Sequence, residues 1–106
     1  MHVVVWAFRP RPGREVEFER AYGPRGQWAA LFHEAPGYLG TDLLRATDGS
    51  GRYLTVDRWQ SQEAYAAFAE SHRDAYEALD RACEALTDSE EWLGDFRVVE
   101  SLPTES

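Results

Sequence analysis

A run of β-branched and aromatic residues that passes straight into a helix start constrains this chain more than any other feature. In Arg52-Tyr53-Leu54-Thr55-Val56-Asp57-Arg58-Trp59-Gln60-Ser61, residues 52–60 read as a strand, and Ser61 is placed to cap a helix beginning at Gln62. Trp59 then puts a large ring where strand, helix and loop meet. On an ideal strand Tyr53, Thr55, Asp57 and Trp59 share one face, so three polar-capable groups surround that ring. Such a face makes a poor core and a fair pocket.

The rest of the chain supplies partners for this unit. Residues 2–9 read as a first strand whose alternating sets, Val3/Val5/Ala7 and Val4/Trp6/Phe8, are both apolar, so it needs cover on both faces. In so small a protein the helices cover one face of a single sheet, and a second copy of the chain is the simplest cover for the other. Residues 14–35 carry a helical pattern that Gly23-Pro24 must interrupt, because proline cannot continue a helix interior. Residues 37–47 form a second strand, and Asp48-Gly49-Ser50-Gly51 is a hairpin turn into the third. From Gln62 to Leu86 one apolar stripe runs through Tyr65, Phe68, His72, Tyr76, Leu79, Cys83 and Leu86, with a break near Ser71. Residues 94–100 form a fourth strand. The order β-α-β-β-α-β predicts an α+β, ferredoxin-like fold with a four-stranded antiparallel sheet. One domain over residues 1–100 is expected, with 101–106 a flexible tail.

Two short motifs stand out within this order: Pro36-Gly37-Tyr38-Leu39-Gly40 before the second strand, and Trp59-Gln60-Ser61 after the third. With the element order, they resemble the antibiotic biosynthesis monooxygenase superfamily, whose members are small dimeric α/β barrels. The resemblance covers residues 3–99. It implies a homodimer through the open sheet face and, in the cofactor-independent branch, oxidation of a small electron-rich aromatic, a hydroquinone or polyphenol, by dioxygen. Trp59 matches the pocket tryptophan of that branch, and Tyr65 matches a tyrosine of some catalytic members. Thr55 stands where some quinone-forming members carry an asparagine. The haem-degrading branch uses an Asn, a Trp and a His where this chain has Ala7, Phe68 and approximately Ala78, and all three departures speak against haem.

The residues themselves leave alternatives open. Trp59 either stacks on a substrate ring or plugs the sheet–helix junction. Thr55, Tyr53 and Phe68 join it as substrate-binding candidates. Asp57 is a general base if buried without a cation, since desolvation raises a carboxyl pKa, and a structural brace if an arginine pairs with it. Arg45 is the most available partner, and the brace is the expectation. Tyr65 and His72 lie on the apolar stripe, either as satisfied core residues or as catalytic groups; His72 would be a proton acceptor at a pocket mouth. The competing class is a non-enzymatic dimeric module that binds a small ligand or serves a stress or regulatory role.

Composition closes off other functions. A net charge of −8 opposes nucleic-acid binding, which needs a basic surface. No Gly-rich phosphate loop, cysteine pair or histidine pair at metal-binding spacing occurs, so neither metal nor cofactor is expected. With no membrane-length apolar run and no charged-then-apolar leader, a cytoplasmic protein is the default expectation. Cys83 is the only cysteine, which rules out an internal disulfide.

Overall fold

The doubly apolar first strand lies where its composition demands, inside the sheet. A computed structural model describes residues 1–101, with β1 at His2–Pro10, α1 at Glu15–Tyr22, α2 at Gln27–Phe32, β2 at Tyr38–Arg45 and β3 at Tyr53–Trp59. These are followed by α3 at Gln62–Ser71, α4 at Arg73–Cys83, a 3-10 turn at Glu84–Leu86 and β4 at Thr87–Arg97. The sheet is antiparallel with strand order β2-β3-β1-β4. This is the ferredoxin-like α+β arrangement, with each helical leg broken in two. Of the expected tail, Ser101 belongs to no element and residues 102–106 lie outside the described residues.

Each break has a local cause. Gly23 donates its N–H to the Glu19 carbonyl at 3.0 Å, and Pro24 then ends α1. The Ser61 hydroxyl caps α3 by accepting from the Ala64 N–H at 3.1 Å. Between α3 and α4, His72 leaves helical geometry at φ −117°, ψ 23°. Among the described residues, no helix is long and apolar enough to cross a membrane.

The fourth strand departs from its sequence reading. It begins at Thr87 rather than Gly94 and ends at Arg97. Its first half, Thr87 to Glu91, is polar and lies on the outside edge, so it carries no apolar alternation to announce it. Charged residues on an edge strand discourage pairing with other chains. Val98 only donates its N–H to the Met1 carbonyl, at 2.9 Å, and Val99 is 88% exposed.

Helices cover one sheet face, where Val4 and Phe8 are buried against Phe18, Tyr22, Phe32 and Phe68. The opposite face presents Val3, Val5, Leu54 and Val56 half-buried, with Leu44 and Phe96 about half exposed.

Candidate functional site

Strand alternation puts Tyr53, Thr55, Asp57 and Trp59 on the helix face of β3, and all four are buried. Between that face and the helices lies a cavity of about 140 Å³. Its floor is Trp6 and Phe8 of β1, Thr41 of β2, and Thr55 and Asp57 of β3. Its walls are Tyr22, Trp28 and Phe32 of α1 and α2, Tyr76 and Asp80 of α4, and Glu90 of β4. The wall rings are in mutual contact, Phe8 to Tyr22 at 4.8 Å between centroids and Trp28 to Tyr76 at 5.0 Å.

Asp57 is the chemical centre of this cavity. The Thr41 hydroxyl donates to Asp57 Oδ1 at 2.6 Å, and Tyr38 hydrogen-bonds to the same Thr41 oxygen. The arginine brace is overturned. Arg45 stands opposite Tyr53, near the far end of β3, whereas the residue opposite Asp57 on β2 is Thr41. Arg58 points to the other face and pairs with Asp42. Burial therefore prevails and pushes the Asp57 carboxyl up to about 6, against the opposing pull of the Thr41 hydrogen bond and the more distant Arg58 charge. Burial also raises the Tyr22 and Tyr76 hydroxyls, so both remain protonated near neutral pH. Of the three carboxyls that line the cavity, Asp57 is the buried one.

The other sequence candidates occupy different places. Trp59 is fully buried behind the cavity, with its ring 5.3 Å from Tyr38 and 5.3 Å from Phe68, and it does not line the space. Phe68 packs edge-on against Phe32 in that same layer. Tyr53 is buried against Phe18 and donates its hydroxyl to Glu19. Trp59, Phe68 and Tyr53 are packed among other side chains and do not line this cavity. Tyr65 is half-buried, flanked by Trp59 and His2, and does not line the cavity. His72 sits at the α3–α4 junction, stacked on Phe68, with Nδ1 2.7 Å from Ser71 Oγ and Nε2 3.5 Å from Glu34. It does not line the cavity. Thr55 and Asp57 are the two candidates that reach the cavity.

The sequence reading missed Thr41, Asp80 and Glu90. Counting by twos from Tyr38 turns Gly40 and Asp42 inward. A register shift between Tyr38 and Gly40 reverses the parity, so Thr41 meets Asp57 and Asp42 turns out. Gly40 at φ +143° is the available signal, since an L side chain rarely adopts that backbone. A second shift, beside Gly94 at φ +144°, places Glu90 opposite Phe8 on the helix face. Cys83 is buried, and burial raises its thiol pKa, which suits packing rather than nucleophilic attack.

Comparison with known proteins places these residues in context. The profile of the antibiotic biosynthesis monooxygenase family matches residues 1–82. A mycobilin-producing heme oxygenase from Mycobacterium tuberculosis is 36% identical over 87 residues, which is 82% of this chain and 78% of the relative. The structure of the heme degrader MhuD from the same organism, with two hemes bound in its active site, superposes with a TM-score of 0.69 at 30% identity, covering 97% of this chain and 100% of that one. A mutant of SnoaB, a cofactor-independent oxygenase from Streptomyces nogalater, superposes at 0.78 with 24% identity over 97% of both chains, a likeness of fold alone.

Proposed function

This chain belongs to the antibiotic biosynthesis monooxygenase family, and from that premise we propose a cofactor-independent oxygenase acting on a small electron-rich aromatic, a hydroquinone or polyphenol. The observation that carries the reading is Asp57, a buried carboxyl without an arginine partner that lines an aromatic cavity and is pushed up to about 6.

In this mechanism the Asp57 carboxylate takes a proton from a ring hydroxyl. Thr41 fixes the carboxylate orientation, and the Thr55 hydroxyl is placed to hydrogen-bond a second ring oxygen. The resulting phenolate is electron-rich enough to pass an electron to dioxygen, and the two radicals combine at a ring carbon. Loss of water completes the change: a hydroquinone and one dioxygen give a hydroxyquinone and one water, with all electrons supplied by the substrate. The protein contributes a base and a water-poor site. Trp59 and Phe68 hold the end of β3 behind Asp57, and Tyr65 and His72 support that layer from outside.

Haem as substrate is not carried over from the relatives. The lining includes no His, Lys or Arg to meet iron or propionates. The volume is that of a single ring, since a dry cavity of about 150 Å³ takes a benzene. The half-exposed apolar sheet face supports a homodimer, and a cytoplasmic setting belongs to the same proposal. Oxygen consumption across a panel of hydroquinones, with no metal or flavin added, tests the function. Uptake above the autoxidation rate, saturating with substrate, is expected. Saturable binding with no added uptake would instead support the small-ligand module.

A further inference from the structure

The walls of the cavity are one-sided in charge. Six aromatic rings and the carboxyls of Asp57, Asp80 and Glu90 line it, with no basic side chain among them. Asp80 lies one helical turn beyond Tyr76, so both point from the same face of α4. Glu90 is turned to the helix face by the irregularity in β4. Among the described residues, neither Asp80 nor Glu90 takes part in an ion pair. Burial and the neighbouring Asp80 and Glu84 charges raise the Glu90 pKa.

Depth separates the roles of the three acids. Asp57 is 7% exposed, whereas Asp80 is partly exposed and Glu90 exposed. The cavity thus has a carboxyl at its inner end and two at its mouth. Aromatic faces also favour a cation over an anion, because the ring quadrupole is negative above and below its plane.

We infer that the ligand of this site is a single phenolic ring carrying a cationic amine arm, the ring hydroxyl directed at Asp57 and the ammonium held at the mouth by Asp80 and Glu90. The inference rests on the proposed function for the identity of the inner base and adds the substrate class. The ammonium stays partly hydrated at the mouth, so its desolvation cost is small. A carboxylate arm of equal length meets two like charges instead.

Calorimetric binding of three phenols that differ only at the arm's end tests this: tyramine, the neutral 4-(2-hydroxyethyl)phenol, and 3-(4-hydroxyphenyl)propionate. Tyramine is expected to bind about fivefold tighter than the neutral phenol, and the anion about fivefold weaker than it. In Asp80→Asn/Glu90→Gln the tyramine advantage should fall to about twofold or less while the neutral phenol binds as before, which also reports an intact cavity. Should that variant fail to fold, raising salt on the wild-type protein must shrink the same advantage, because the mouth is solvated. An anion that binds as well as tyramine, an advantage insensitive to both variant and salt, or no binding of any of the three at millimolar concentration overturns the inference. Charge-ordered binding without oxygen uptake refutes the oxygenase reading alone. Uptake with neutral hydroquinones and no charge preference refutes this inference alone.

Discussion

Asp57 shows how one residue's neighbours decide between opposite roles. Its place on the Trp59 face follows from strand alternation and was legible. Its partner was not, because the bulge at Gly40 reverses the parity of β2 and brings in Thr41 where simple alternation gives Gly40 or Asp42. The consequence for stability has a definite sign. A carboxyl with its folded pKa at about 6, above its ordinary value of 3.8, binds its proton more tightly when folded. Folding therefore carries no penalty from Asp57 below about pH 4, and loses stability as pH rises towards 6, by on the order of 3 kcal/mol in full. Asp57→Asn should then melt several degrees above wild type near pH 7.5, with the difference vanishing near pH 4. A braced carboxylate gives the reverse, a variant less stable at pH 7.5. Thr41→Val removes a hydrogen bond that favours the ionised form, so the midpoint of any Asp57-dependent pH profile should move upward. A downward move, followed by carboxyl NMR titration, contradicts this account.

Elements were readable where apolar spacing was dense. The stripe from Tyr65 to Leu86 located α3 and α4, and the break near Ser71 appears at His72, where the side chain bonds Ser71 rather than continuing the stripe into the cavity. Ser61 caps α3 as its position before Gln62 implied. Ser61→Ala should cost about 1 kcal/mol, read from chemical denaturation, since it leaves an orphan N–H at the helix start. No loss would mean that solvent caps that end equally well. The first half of β4 was unreadable for the opposite reason. An exposed polar edge strand has no inward set to count, and its hydrogen bonds to β1 are long-range facts that local sequence does not carry. Glu90 was hidden with it.

At the scale of the whole molecule, the apolar odd-numbered set of β1 predicted a sheet wanting cover on both sides, and Val3, Val5, Leu44 and Phe96 now form such an open face. A stable pair through it should bury on the order of 2,000 Å². Sedimentation at micromolar concentration should give twice the chain mass, and Leu44→Glu with Phe96→Glu should reduce it to one. A wild-type monomer would remove the proposed dimer. Family membership was legible from element order and two short motifs. The cavity was not, because it is assembled from all four strands and three helices and no local motif contains it. Oxygen uptake with a single-ring hydroquinone, followed from about pH 4.5 to about pH 8 for wild type and Asp57→Asn, tests the central claim most directly. The account predicts a wild-type kcat/KM that rises about tenfold per pH unit up to about 6 and then levels, and a loss of roughly 10²–10⁴-fold in the variant. A variant as fast as wild type, or a wild-type profile flat through pH 6, would contradict it.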